Sequence, residues 1–442
     1  MKRFFRILRW CLLGLLGIVG ILLTVHGIRV AWADHRLNER IEALRAAGQP
    51  ISLAELTRET IPPEKNAATY LRRAKEDAEA IETQVEAAYD AAPKADQDDF
   101  DKGRPTPAFV ESMRAALAAY PEAIALIEEA SNCPDYDPQL DFQADTASFL
   151  DAQLEQMQSC RNILRVCNYR LLVQLDEGRR EEALQTCLMM FRLARLYDRG
   201  PLLVSYVPVF VVCGLAVRDT NFVLRSGPLP QSDYQALEAE LTLFDLPAYL
   251  REAFRGERAF GLQMFDQWSS GVLAATARLM PWLKNDTCDY LDMMAACMKN
   301  VALPYSEWKR KMGIASPPDK VGVLTGMALE VMEATHDSMV RAEAQIRALQ
   351  VLTALLEREQ AGGAGVPALA DLGLPADVTT DPFNGEPLKL KKLPAGWLVY
   401  SVGLNLKDDC GDLTDNRDVG VGPLPEPKAT GDKEKPLDKA AE

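Results

Sequence analysis

The chain is 442 residues long, 48% hydrophobic and 26% charged, the balance of a folded globular protein with a sizeable core. This excludes a collagen, a mainly disordered chain, a small disulfide-stapled module and a multi-span transporter. Lys and Arg number 49 against 64 Asp and Glu, a formal charge of −15, so the surface repels phosphate backbones and no nucleic-acid partner is expected.

Residues 1–9 form a basic flank with Lys2, Arg3, Arg6 and Arg9. An apolar run follows from Trp10 to Ile28; at 1.5 Å per residue its length is about 28 Å, close to a bilayer core. Trp10 and Trp32 bracket it as interfacial anchors do, and residues 10–32 read as a transmembrane signal-anchor helix. The leading cations put the N-terminus in the cytoplasm and the main domain in the periplasm of a bacterial inner membrane, with the lipid bilayer as partner. Ala31-Trp32-Ala33 has the small-x-small form of a signal-peptide cleavage site. The run is longer than a signal peptide's apolar region and Arg29 interrupts the approach, which favours an uncleaved anchor. A second uncharged stretch, Pro201 to Val217, carries Pro208 and reads as a buried core helix.

Residues 33–320 read as amphipathic helices. Leu37 to Ala47 is closed by Gly48, and Pro62-Pro63 introduces Glu64 to Tyr89. Pro93 to Thr106 reads as loop, Pro107 to Ala130 as a helix broken at Pro121, and Cys133 to Asp145 as loop. Leu150, Leu154, Met157, Leu164, Cys167 and Leu171 recur at helical spacing up to the stop at Asp176-Glu177-Gly178. Arg180 to Tyr197 returns as a second helix. The joint, Leu175, Gly178, Glu182, Ala183 and Leu184, resembles a single tetratricopeptide unit, without a repeating period. Further helices are expected at Ser232 to Phe244, Leu246 to Leu279 and Asp289 to Val301.

Ala47-Gly48-Gln49-Pro50, Pro62-Pro63-Glu64-Lys65-Asn66-Ala67-Ala68 and Glu257-Arg258-Ala259-Phe260-Gly261 resemble stretches of a bacterial family of membrane-anchored helical proteins without an assigned activity. That resemblance implies an envelope protein.

Residues 321–419 read as an α+β module. A long helix, Val321 to Gln360, ends at Gly362-Gly363; strands are expected at Leu388 to Leu393 and Trp397 to Val402, joined by a tight turn at Pro394-Ala395-Gly396. Asp381-Pro382-Phe383-Asn384-Gly385-Glu386-Pro387 followed by Tyr400-Ser401-Val402-Gly403 resembles the end of the major pseudopilin of type II secretion. The resemblance implies a long helix packed on a small sheet and a calcium-binding loop. Here that loop holds Asp408, Asp409, Asp412, Asp415 and Asp418; it reads either as a solvated acidic turn or as a calcium site with Asp412 and Asp415 as the ligands. The chain departs from that family in the roughly 290 residues between anchor and module and in lacking a prepilin cleavage signature, so a filament subunit is not expected. Residues 420–442, rich in Pro, Lys and acids, read as a disordered tail.

The sequence contains no HExxH, GxSxG or P-loop motif, and its nine cysteines include no CxxC pair. His336, three residues after Glu333, reads as half of a surface pair, and Cys410 as the most exposed thiol. The expected protein is therefore mainly α: a transmembrane helix, a helical-hairpin body and a small pseudopilin-like module with a β-hairpin. Its expected function is that of a non-enzymatic, membrane-anchored envelope protein with a scaffold or partner-binding role, linked by resemblance to a type II secretion-like system. Two other readings stay open: an enzyme of unrecognised class using carboxylates in a helical cleft, and a helical-repeat protein that binds peptides.

Overall fold

A computed structural model describes residues 2–101, 105–197, 200, 202–270, 280–315, 322–363, 365–414 and 417–423. Helix α1 is a single rod, Lys2–Ala46. From Arg9 onward it has the length and hydropathy of a membrane span, and none of its most apolar window is buried by the rest of the protein. Its far end is a Schellman motif: the Gln49 N–H donates to the Leu44 carbonyl at 2.9 Å and Gly48 takes a φ of +63°, open to glycine at no steric cost.

The body follows as α2 (Ala67–Ala91), α3 (Lys94–Asp101), α4 (Pro107–Ala119), α5 (Pro121–Ser131), α6 (Thr146–Asp176), α7 (Arg180–Tyr197), α8 (Leu203–Arg225), α9 (Gln231–Leu241) and α10 (Leu246–Ser270). Then come α11 (Pro281–Asn300), α12 (Tyr305–Ala315) and α13 (Val323–Gln360). Asn66 caps α2: its Oδ1 accepts from the Ala68 and Asp137 N–H groups at 3.0 and 2.9 Å. Helix α3 lies where a loop was expected; Phe100 on it closes an aromatic cluster with Tyr89 and Phe109, ring centroids 5.6 and 5.0 Å away. That burial holds an otherwise acidic, helix-poor segment. The α6–α7 hairpin turns at Gly178, φ +74°, and buries Ala183 and Leu184 completely. Of the second uncharged stretch, residues 203–217 lie in α8, 67% of whose apolar window is buried, so it is a core helix despite Pro208. Helix α11 starts eight residues before the expected Asp289, with Pro281 at its first turn. Residues 271–279, the end of the expected Leu246–Leu279 helix, lie outside the described residues.

The sheet has three antiparallel strands in the order β1 (Lys389–Leu393), β2 (Gly396–Ser401) and β3 (Val419–Val421). Lys389 faces Tyr400 and Leu393 faces Gly396 across the hairpin, and Val399 faces Val421 on the other side. The sheet thus runs into the segment read as tail, of which residues 424–442 lie outside the described residues. Alternation splits β2 between two covers. Trp397 and Val399 join the main core against α13, whereas Leu398 and Tyr400 lie under the loop after β2, where Gly411 at φ +81° passes so close that a Cβ would sit 2.5 Å from Leu398. One hydrophobic cluster contains Ile81, Leu184, Phe254, Leu349 and Val399, so helical body and sheet share a core.

Candidate functional site: a cavity at the end of the first helix

A cavity with a volume of about 760 Å³ opens where α1 ends. Its wall is assembled from four places in the chain. Arg45, Gly48, Gln49 and Pro50 come from the end of α1 and its cap; Glu55, Leu56 and Arg58 from the 3-10 turn Leu53–Leu56 and the residues after it; Gly200 and Tyr206 from the approach to α8 and its first turn; and Tyr249, Glu252, Arg255 and Gly256 from α10. The α10 residues recur at i, i+3, i+6 and i+7, one face of a helix. The turn is pinned by buried Leu53, which packs with Phe149 and Leu202 while its N–H donates to Gln263 Oε1 at 3.0 Å.

Residues 47–50, 62–68 and 257–261 are three stretches tied to the cavity wall by hydrogen bonds. Gln49 Oε1, from the first, accepts from Arg258 Nη2, in the third, at 3.1 Å. The second reaches the wall through Asp135: Ala67 N–H donates to its carbonyl at 3.0 Å, and its carboxylate pairs with Arg58 at 3.3 Å. Gly261 in the third stretch packs against the Tyr290 ring, where a Cβ would lie 2.3 Å from the hydroxyl oxygen.

Electrostatically the wall is mixed: Arg45, Arg58 and Arg255 stand with Glu55 and Glu252, and Arg45 and Arg58 are paired with Glu42 and Asp135 just outside the lining. Arg255 pairs with Glu252 at 3.0 Å, yet its Nε is buried without a hydrogen-bond partner. Behind the wall Arg258 is 3% exposed, its Nε also lacks a partner, and no described carboxylate pairs with it. Burial and the neighbouring Arg255 pull the Arg258 pKa down. Glu257 accepts from the Leu203 N–H at 3.2 Å, and desolvation pushes its carboxyl up to about 7, but it is not among the residues that line the cavity. Other buried carboxylates lie elsewhere and have partners, among them Asp219 with Arg218 and Asn168, Glu240 with Arg192 and Arg195, Asp286 with Thr325, and Asp381 with Ser401.

The acidic loop has its own internal order. Asp408 accepts from Tyr400 and the Cys410 N–H and pairs with Lys389; Asp418 accepts from the Asp409 and Gly411 N–H groups at 3.3 and 2.6 Å; Lys391 donates to the Cys410 carbonyl at 2.6 Å. Asp412 accepts from Thr414 at 3.0 and 2.6 Å and pairs with Arg417 at 3.4 Å. Its expected co-ligand Asp415 lies outside the described residues. Among the described residues no three His, Cys, Asp or Glu side chains are placed to hold one metal ion, so the described donor set does not by itself make a calcium cage.

His336 is not on the surface. It is fully buried, stacked on Trp308 at 3.9 Å and 7° and beside Tyr305, which meets Phe383 edge-on at 5.6 Å. Neither ring nitrogen has a regular hydrogen-bond partner, and burial lowers its pKa to about 3 against a small opposing effect of the Val301 backbone. No disulfide joins the cysteines. The chain matches no known protein family, no curated protein and no solved structure.

Proposed function

We propose that this is a single-pass protein of the bacterial inner membrane, N-terminus inside, whose periplasmic body binds a partner or ligand and does not turn over a substrate. The observation that carries the reading is the cavity at the end of the spanning helix, walled by Arg45, Arg58 and Arg255 with Tyr206 and Tyr249. Guanidinium groups beside aromatic rings recognise an anionic group, a carboxylate or phosphate, borne on an apolar body. On that side Arg255, which lines the cavity, keeps an Nε with no partner inside the protein. The enzyme reading needs a group of shifted carboxylates in one cleft; Glu257 stands alone beside this one. A link to type II secretion-like machinery, and calcium at Asp412 and Asp415, belong to the same proposal through the sequence resemblance.

The test is a melting screen of the detergent-solubilised full chain against carboxylates, phosphates and peptides with a free C-terminus, in parallel with Arg255→Gln. A ligand that raises Tm in the wild type and not in the variant supports the reading. A panel that shifts neither protein overturns it.

A further inference from the structure

The spanning helix does not leave the membrane alone. Three contacts clamp α11 alongside α1 just beyond the apolar run: Lys284 Nζ to Asp34 at 2.5 Å, Arg36 to Asn285 at 3.4 Å, and Arg40 to both oxygens of Asp292 at 3.0 and 2.7 Å. The partners ascend together along both helices, so α11 runs parallel to α1 and begins at the same height. Trp282 stands two residues before Lys284, and Trp32 two residues before Asp34, so the two indoles are level. Both are exposed to a similar degree, Trp32 56% and Trp282 57%, and Met280 at the start of α11 is exposed beside them.

That height is set by the apolar run. Trp32 lies four residues past Ile28, about 6 Å along the axis, within the roughly 5–8 Å of headgroup layer that flanks a bilayer core. Tryptophan is favoured at this depth because its ring is apolar and its N–H is wet.

We propose that Trp282 and Met280 form a second membrane contact, a foot that rests in the lipid headgroup layer next to Trp32. The occupant is lipid, because the patch continues the level at which α1 emerges. A foot of this kind fixes the tilt of the body and with it the direction in which the cavity faces. The proposal rests on α1 spanning the bilayer.

The test uses the full chain in phosphatidylcholine nanodiscs that contain a lipid with a headgroup nitroxide, which quenches nearby indoles. Quenched tryptophan emission is compared for the wild type, Trp10→Phe, Trp32→Phe and Trp282→Phe. The expected result is that Trp282→Phe loses a share of quenchable emission similar to that lost in Trp32→Phe. If Trp10→Phe and Trp32→Phe lower the quenched emission and Trp282→Phe leaves it unchanged, the foot is overturned while the anchor stands; a second copy of the chain covering Trp282 would give this result. If none of the three changes it, the anchor itself falls, and the foot with it.

Discussion

Asp381 and Ser401, twenty residues apart, are joined by a fully buried hydrogen bond in which the Ser401 hydroxyl donates to Asp381 Oδ1 at 2.7 Å. The same carboxylate accepts from the Phe383 N–H at 2.8 Å and, through Oδ2, from the Val402 N–H at 3.0 Å. One side chain thereby ties the Asp-Pro-Phe-Asn-Gly loop to the end of β2. The loop in turn caps α12, since the carbonyls of Pro382 and Phe383 accept from the Tyr305 and Ser306 N–H groups, both at 2.9 Å. The link from sheet to loop to helical body follows from these bonds.

Replacing Asp381 by Asn sets an amide N–H₂ against buried donors. An unsatisfied buried donor costs about 1–3 kcal/mol, so Asp381→Asn should lower the urea midpoint by that equivalent, and Ser401→Ala by less. In the double variant the losses should not add, because both changes act on one hydrogen-bonded cluster. Strict additivity would show that the bond carries no weight.

His336 makes stability fall in acid. Its pKa drops from 6.5 to about 3 on folding, so between those values the unfolded chain holds the extra proton. The stability that neutral His336 contributes is complete above about pH 6.5 and is lost as pH falls toward 3, at up to about 1.4 kcal/mol per pH unit. His336→Phe keeps a ring over Trp308 and should flatten this fall. Parallel Tm–pH profiles for wild type and variant would contradict it.

Glu257 works in the opposite direction. Its pKa rises from 4.5 to about 7 on folding, so the folded state holds the extra proton in that window. Stability from this group is present below about pH 4.5 and is lost as pH rises through 7. Glu257→Gln still accepts from Leu203 and should be the more stable protein at pH 8, with the advantage vanishing at pH 5. An advantage that does not change with pH would remove the assignment.

Calcium at Asp412 and Asp415 is tested by melting with calcium and with chelator. The proposal requires a calcium-dependent rise in Tm that Asp412→Asn and Asp415→Asn abolish. An unshifted wild type removes it, and leaves the loop closed by Lys389, Lys391 and Arg417.

Local patterns made much of the fold legible. The apolar run, the stop at Gly178 and the Leu393–Gly396 hairpin each depend on residues close together in the chain, and period and turn chemistry decide them. Strand β3 escaped because Val419-Gly420-Val421 is too short to show alternation and sits among acids and glycines. His336 was misread because a Glu three residues earlier suggests a surface pair. Met332, Met339 and Val340, at i−4, i+3 and i+4, mark the same position as part of a buried stripe. The cavity could not be read at all. Arg45 and Arg255 meet across about two hundred residues of intervening chain, and only tertiary packing brings them together.

The central claim, a spanning rod with the body on its far side, is tested most directly through the native thiols. Of the free cysteines only Cys11, within the apolar run, and Cys410, on the loop beside the sheet, are exposed. A membrane-impermeant maleimide added to intact spheroplasts should label the full chain at Cys410 and fail to label Cys410→Ser. Labelling of Cys410 only after the spheroplasts are lysed would place the body in the cytoplasm and contradict the account.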